Sequence, residues 1–262
     1  HLLCFLPTER DIQDLANLLQ KELDERFEIL PLYGRMSPGE QKKVFKSTTK
    51  TRIVLATNIA ETSLTIPGIA YVVDSGTARI SRYNAQARIQ GLPVEEISQA
   101  SARQRTGRAG RVKPGVCIRL YSEKNFLDRD AYTEPEIRRS NLANVVLLLR
   151  SLDLSAEQFG FIQPPLRSAF RGAYRTLFEL GALSSVDANA RVTSFGKEMS
   201  KLPMDVALSA VLLRASKMGV QQPAIIVCAA LSLQDVRLIP QEETERNKAK
   251  ESHRKFGKYK SD

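Results

Sequence analysis

RIVLATNIAETSLT, residues 52–65, decides the fold of this 262-residue chain. Its first five residues form a short apolar run typical of a buried parallel strand. The polar block that follows at once, Thr57 to Thr65, is dense in hydroxyl and amide side chains. Open α/β folds bind ligands at the carboxyl ends of their strands, and such groups hold phosphate oxygens. The stretch therefore predicts a parallel sheet with a ligand-binding edge; the alternative is an N-capped loop that satisfies only its own polar groups.

The chain on either side of this stretch completes the sheet. Short apolar runs predict strands at residues 2–6, 29–33, 52–56, 69–74 and 115–121. Helical patterns lie at residues 8–23 and 37–46, the second with an N-cap serine, a proline and a capping-box acid. The order strand, helix, strand, helix, strand predicts a parallel sheet with helices on its faces. Two extended runs between residues 79 and 97 predict a β-hairpin that projects from it.

The segment RQRTGRAGR, residues 103–111, carries four arginines and no carboxylate. Groups outside the segment must balance that charge. Arginine suits planar, bidentate phosphate recognition because its guanidinium is always charged. On a helix, Gln104, Arg108 and Arg111 would lie at i, i+4 and i+7, so that their side chains emerge on one face. The alternative is a solvated basic helix.

The periodicity turns helical beyond Ser122. Residues 141–152 are apolar nearly all round and predict a buried helix. Further helices are predicted at residues 164–183, 205–217 and 222–233, with a short extended piece at 191–193. This pattern is typical of a winged-helix module followed by the start of a helical bundle. The polar residues 241–262 are predicted to fray or to await residues that this sequence does not contain.

Composition limits the class of protein and its partners. With 42% hydrophobic residues and a net charge of +10, the chain is predicted to build two domains and to meet an anionic polymer. The sequence contains no apolar run of about 18 residues and no signal peptide, which predicts a soluble, cytoplasmic chain without a membrane partner. The three cysteines lack metal-ligand spacing and predict buried thiols. The chain begins inside a strand-like run, as an excised fragment would.

Four ordered blocks carry a family resemblance: LCFLPTERDI (3–12), PLYGRMSPGEQ (31–41), TNIAETSLTIPGIAYVVDSG (57–76) and QASARQRTGRAGR (99–111). With them the chain resembles the carboxyl half of the helicase core of DEAH-box RNA helicases, most like the bacterial HrpA type. The resemblance implies a RecA-like α/β fold. It also implies a second RecA-like domain at residues 1–122, a winged helix at 123–190 and a truncated helical ratchet domain at 191–262.

The resemblance implies roles for individual residues. Gln104, Arg108 and Arg111 would face ATP or another NTP, with the arginines stabilising charge that develops as the γ-phosphate leaves. The ring of Phe45 would stack on the base, unless it is an ordinary core phenylalanine, and Thr65 would lie near the nucleotide. The implied RNA-binding residues are Thr57, Asn58, Ser63, Arg79 and Arg82, with Ser63 linking the two sites and the hairpin acting as a wedge.

The sequence departs from the family pattern in two respects. Pro67 replaces an acidic residue that many eukaryotic members use to hold the ribose, so weak discrimination among nucleotides is expected. Neither G-x-x-x-x-G-K-[ST] nor the DEAH tetrapeptide occurs. The phosphate cradle, the Mg²⁺ ligand and the catalytic glutamate are therefore expected on an N-terminal RecA-like domain. The chain alone is expected not to hydrolyse ATP.

Three functions remain consistent with the sequence. The first is part of an enzyme that couples ATP hydrolysis to 3′-to-5′ movement along single-stranded RNA, with DNA as an open alternative. The second is a non-catalytic nucleic-acid-binding module, and the third is an adaptor whose basic surface meets an acidic protein. The winged helix is expected to support the core rather than to read DNA.

Overall fold

The computed structural model describes residues 1–62, 64–84, 89–110, 114–233 and 243–254. The described residues divide into two compact units, the first ending at Pro135 and the second beginning at Glu136. Within these ranges no helix is both long and apolar enough to cross a bilayer. Ser63 and Arg111, two of the predicted site residues, lie outside the described residues.

A five-stranded parallel sheet in the order β2-β3-β1-β4-β9 forms the centre of the first unit. The strands of this unit are β1 (Leu2–Phe5), β2 (Phe27–Leu32), β3 (Thr51–Ala56), β4 (Tyr71–Asp74), β5 (Thr77–Arg79), β6 (Arg82–Asn84), β7 (Ile89–Gly91), β8 (Val94–Glu96) and β9 (Val116–Arg119). Its helices are α1 (Glu9–Glu22), α2 (Pro38–Gln41), α3 (Ile59–Thr62), α4 (Gln99–Thr106) and α5 (Glu123–Asp128), with a 3₁₀ turn at Lys42–Phe45. The parallel sheet predicted from the strand order is confirmed.

The predicted helix starts are confirmed by their caps. The Thr8 hydroxyl accepts a hydrogen bond from the Asp11 N–H at 3.1 Å and begins α1. The Ser37 hydroxyl and the Glu40 carboxylate form the predicted capping box at α2. The second helix is shorter than predicted, because its last turn tightens into the 3₁₀ turn.

The sheet is buried on both faces, which explains its continuous apolar strands. Along β1, Leu3 and Phe5 pack into one apolar cluster with Val54 of β3. Cys4 packs into a second cluster with Leu55. Because successive side chains of a strand point to opposite faces, the two clusters lie on opposite sides of the sheet.

We predict that the buried Cys4 thiol makes the first unit sensitive to alkali. Burial, and then the nearby Asp74 carboxylate, raise the pKa of Cys4 from 9.0 to about 11. The unfolded chain ionises first, so the stabilisation is complete below pH 9 and declines as the pH rises towards 11. The loss amounts to about 2–3 kcal/mol. Urea unfolding between pH 8 and 11 should show a steeper decline for the wild type than for Cys4→Ala, and parallel declines would contradict this.

The projecting β-hairpin is confirmed. β5 pairs with β8 and β6 with β7, both antiparallel. The two ladders are interrupted where Pro93, which has no N–H, lies opposite Ile80; the Ile80 N–H donates to the Pro93 carbonyl at 3.1 Å.

The second unit is helical. Its helices are α6 (Glu136–Arg139), α7 (Ala143–Ser151), α8 (Arg167–Glu179), α9 (Ser194–Met199), α10 (Val206–Lys217), α11 (Gln221–Ser232) and α12 (Glu243–Arg254). One apolar cluster joins α7, α8, α9 and α10. The predicted extended piece at 191–193 is a single antiparallel bridge between Leu183 and Val192.

Two predictions for the second unit are wrong in detail. The helix at 141–152 is not buried all round, since Leu148 is 54% exposed. The helix predicted to begin at Pro164 begins at Arg167, and it ends before Gly181, whose φ of 80° requires the left-handed region. Within the stretch predicted to fray or to await further residues, the described residues form α12, a helix without an apolar face.

Candidate nucleotide and nucleic-acid site

The polar block after β3 lies at the edge formed by the carboxyl ends of the strands, hereafter the carboxyl edge. The Thr57 N–H donates to the Leu32 carbonyl at 3.1 Å, which continues the pairing of β2 with β3. Thr57 also starts α3, since its carbonyl accepts from the Ala60 N–H. Asn58 and Thr65 are exposed, whereas Thr57 is half-buried. Asn58 and Thr65 are therefore accessible to a ligand.

The predicted helix face is wrong for Gln104 and Arg108, and Arg111 lies outside the described residues. Helix α4 begins at its N-cap Ser98 and ends at Thr106, so Arg108 lies in the turn beyond it. Gln104 is exposed and Arg108 is buried. The Gly107 N–H still donates four residues back, to the Arg103 carbonyl, whereas the N–H groups of Arg108 and Ala109 donate three residues back, so the chain tightens after α4. The two side chains therefore do not emerge together.

Arg108 binds the segment around α3. One of its terminal nitrogens donates to the Leu64 carbonyl at 2.8 Å, and the other donates to the Glu61 carbonyl. The side chain is 8% exposed and borders a small apolar cleft lined by Leu3, Ile66 and Ile69. Arg108 thus connects the turn after α4 to both the helix α3 and the loop that follows it.

Arg105 is fully buried and paired with two carboxylates. Its guanidinium lies 2.7 Å from Asp74 and 3.1 Å from Glu61, and it donates to the Thr77 carbonyl. It also lies 4.7 Å from the centroid of the Phe5 ring. For Arg105, the balancing charge predicted to lie outside the arginine segment comes from Asp74 and Glu61. The alternative of a solvated basic helix is wrong for both Arg105 and Arg108.

Asp74, Tyr121 and Arg129 hold the base of the β-hairpin, which begins after Gly76. The Arg129 guanidinium donates to the Gly76 carbonyl at 2.8 Å and to the Ile97 carbonyl at 3.2 Å, so it binds both ends of the hairpin. It stacks 3.9 Å from the centroid of Tyr121, whose hydroxyl donates to Asp74 at 2.8 Å. Burial, and then the Asp74 charge, raise the pKa of Tyr121.

Sequence reasoning missed this group at the hairpin base. The available signal was an aspartate that ends an otherwise apolar strand, at Asp74. A carboxylate at the end of a buried strand requires partners, which arginines on neighbouring elements provide. The glycine two residues after Asp74 was a second signal, because glycine often marks a turn. In the structure its φ is 77°, and a Cβ there would lie 2.5 Å from the Tyr121 ring.

The two hairpin arginines differ in their surroundings. Arg82 pairs with Glu95 at 2.6 Å and with Glu134 at 2.8 Å, and these hydrogen bonds raise its pKa. Arg79 is exposed and makes no ion pair with any described residue. A phosphate would have to displace two carboxylates from Arg82 and none from Arg79.

Phe45 lies at the end of the 3₁₀ turn with its ring 40% exposed, while the preceding Val44 is fully buried. The buried Arg52 fixes this turn by donating to the Val44 carbonyl at 2.8 Å while pairing with Glu28. The exposed ring argues against an ordinary core phenylalanine. Within the described ranges, no group of three or more His, Cys, Asp or Glu side chains could hold a metal ion.

Comparison with known proteins covers both units. Residues 1–113 match the Helicase conserved C-terminal domain, residues 173–204 the winged-helix Helicase associated domain (HA2), and residues 205–262 the ratchet-like Helicase associated domain (HA2). The ATP-dependent RNA helicase HrpA of Escherichia coli K12 is 48% identical over 264 residues, which cover 100% of this chain. The chain is a C-terminal helicase region of the DEAH-box, HrpA-like kind.

Other relatives of this HrpA-like region agree with the assignment. The HrpA homolog of Haemophilus influenzae is 46% identical over 100% of the chain. The chain spans 20% of the length of each of the two HrpA proteins. A crystal structure of the DExH-box NTPase HrpB of E. coli superposes with a TM-score of 0.81 at 30% identity, over 97% of this chain and 32% of that one. The predicted fold, a RecA-like sheet with a winged-helix and a ratchet-like region, is confirmed.

Proposed function

We propose that this HrpA-like region completes an ATP-hydrolysing site and couples it to 3′-to-5′ movement along single-stranded RNA in the cytoplasm. The observation that supports the proposal most strongly is the bridge formed by Arg108. It joins the arginine segment, proposed to face the nucleotide, to the polar block proposed to face RNA. The two HrpA relatives of this region are named ATP-dependent RNA helicases.

On the nucleotide side we assign Gln104, Arg108 and Arg111, together with Phe45 and Thr65. Arg108 is oriented in advance by two backbone carbonyls. Donors fixed before the reaction stabilise developing charge without reorganisation. The exposed Phe45 ring offers a face for a base, and Pro67 offers no side-chain acceptor for a ribose. Because Phe45 would only stack on the base and Pro67 offers the ribose no acceptor, we expect the site to discriminate weakly among NTPs.

The phosphate cradle and Mg²⁺ ligands are assigned to an N-terminal RecA-like domain, because this chain carries no P-loop sequence. Mg²⁺ sites in such enzymes use P-loop hydroxyl and carboxylate ligands. The described residues fit the complementary role, since they supply arginine and amide donors at the carboxyl edge. The division at residues 122 and 190 into RecA-like, winged-helix and ratchet domains also stays a proposal.

On the RNA side we assign Thr57, Asn58, Ser63, Arg79 and Arg82. Helix α3 follows Asn58 in the chain and contacts the arginine segment. Its Glu61 carboxylate accepts hydrogen bonds from Ser101 and Arg105, and its carbonyl accepts from Arg108. All three donors belong to α4 or the turn after it. A displacement of α4 on nucleotide turnover would therefore move α3 and the RNA-facing loop with it.

The paired hairpin arginines test this proposal. We expect Arg79→Gln to raise the RNA concentration for half-maximal stimulation of ATP hydrolysis roughly threefold or more, and to reduce the salt dependence by one phosphate contact, a log–log slope of about 0.7. Arg82→Gln should have the smaller effect, because the Arg82 guanidinium already pairs with the carboxylates of Glu95 and Glu134. The assay uses the chain joined to its P-loop domain and unstructured poly-U RNA.

Two results would decide against the proposal. RNA binding without any RNA-stimulated ATP hydrolysis in the joined protein would favour the non-catalytic nucleic-acid-binding module. Equal effects of Arg79→Gln and Arg82→Gln would show that the hairpin contributes only net charge.

A further inference from the structure

Helix α8 of the second unit separates an apolar face from a basic face. Phe170, Ala173, Tyr174 and Leu177 are buried in the core of that unit. Arg167, Arg171 and Arg175 are exposed on the other side. They repeat every four residues, so they follow one stripe with a rise of roughly 6 Å between neighbours. The stripe lies outside the apolar cluster that forms the core of the unit.

Most of the positive charge of the stripe is not balanced within α8, since the exposed Glu179, four residues after Arg175, is the one carboxylate that continues it. Within the described part of the chain, none of Arg167, Arg171 and Arg175 makes an ion pair or a side-chain hydrogen bond. Like charges at i and i+4 destabilise a helix. The three arginines on this face thus disfavour the helix itself, and an anionic partner would relieve their mutual repulsion.

An aromatic ring lies on the same face. Phe178 is seven residues after Arg171 and three after Arg175, and it is 45% exposed. At the other end of the stripe, Arg138 donates through Nε to the Pro164 carbonyl at 3.0 Å, three residues before Arg167. Guanidinium groups that follow a backbone, together with an accessible aromatic face, are the combination that holds single-stranded nucleic acid.

We infer that α8 carries a second binding surface for single-stranded RNA, in which the three arginines contact successive phosphates and Phe178 stacks on a base. An acidic protein would satisfy the arginines but would leave the exposed ring unexplained. A duplex would hide the base faces that the ring could contact. The inference depends on the proposed function only in taking RNA as the ligand.

The test is the affinity of the 262-residue chain for a poly-U oligonucleotide, measured by fluorescence anisotropy between 50 and 300 mM salt, roughly the range over which phosphate contacts weaken. The variant is Arg167→Gln/Arg171→Gln/Arg175→Gln. Its matched control, Arg191→Gln/Lys197→Gln/Lys201→Gln, removes three exposed charges from the same unit. Circular dichroism and the unfolding midpoint establish that each variant is folded.

We expect the α8 variant to lose roughly tenfold in affinity at low salt and to flatten the log–log salt slope by about 2, since each phosphate contact to a single strand contributes about 0.7. The control should change neither by a comparable amount. Phe178→Ala should weaken binding on the order of tenfold without changing the salt slope, because stacking is not ionic. Phe178→Leu keeps an apolar side chain and should lose nearly as much.

Three results would overturn the inference. The α8 variant and its control could lose equal affinity, which would show that net charge alone accounts for the RNA binding of the second unit. The α8 variant could bind poly-U as the wild type does. It could also keep its RNA affinity while losing affinity for poly-glutamate, which would assign the stripe to an acidic protein. Arg79→Gln in the same assay reports the proposed RNA contact of the first unit, so that contact and the α8 surface can fail separately.

Discussion

Replacing Arg108 by alanine is expected to reduce RNA-stimulated ATP hydrolysis by about a thousandfold or more in the protein that joins this chain to its P-loop domain. Arginines that stabilise the charge on a transferring phosphoryl group have effects of about 10³–10⁵. The change also removes the bridge from the turn after α4 to Glu61 and Leu64. RNA affinity should fall little, because the exposed RNA-facing residues are intact. Phosphate release and RNA anisotropy measure the two quantities separately.

The control is Arg103→Ala, in the same segment. Arg103 is exposed and donates to Gln99 at 3.0 Å, so its loss removes one charge without disturbing the carboxyl edge. Arg108→Lys keeps the charge but cannot span two carbonyls, and it should resemble the alanine variant. Intact ATP hydrolysis with a large loss of RNA affinity in Arg108→Ala would contradict the assignment and favour a phosphate-backbone contact.

Replacing Arg105 by methionine is expected to destabilise the first unit by about 3–5 kcal/mol, because it leaves a buried carboxylate without its cation. Asp74 is fully buried and would keep only the Tyr121 hydroxyl and the Gly76 N–H. Glu61 would lose the same partner. The free energy of unfolding in urea measures the effect.

Arg103→Met on the same helix is the matched control and should change stability by less than about 0.5 kcal/mol, since it lies on the surface. The triple change Arg105→Met/Asp74→Leu/Glu61→Gln should recover part of the loss, because it removes the unpaired charges together with the arginine. Equal stability of Arg105→Met and the wild type would show that the buried pairs contribute nothing net.

The sheet was predictable because its information is local. The apolar runs at β1 and β3 and the caps at Thr8 and Ser37 each act within a few residues, so the sequence displays them directly. The end of α4 was not predictable in the same way. Gly107 caps α4, but glycine also occurs inside helices, and the carbonyls that Arg108 contacts lie 44–47 residues earlier in the chain, which no periodicity records.

The candidate site likewise was predictable where its features are local and not where they depend on distant residues. The polar block and the arginine segment stand out by composition, and their proximity follows from the sheet topology. The separate roles of the four arginines do not follow, because residues of the same type differ only in partners brought by other elements. Arg105 meets Asp74 from β4, while Arg103 lies against the ring of Phe126 from α5.

The most direct test of the proposed shared active site is phosphate release from ATP, with and without single-stranded RNA. It is measured for this chain alone and for the chain joined to its P-loop domain in one polypeptide. We predict no hydrolysis by the chain alone and RNA-dependent hydrolysis by the joined protein, lost in Arg108→Ala. Hydrolysis by the chain alone that is also lost in Arg108→Ala, or a folded joined protein that binds RNA without hydrolysing ATP, would contradict the account.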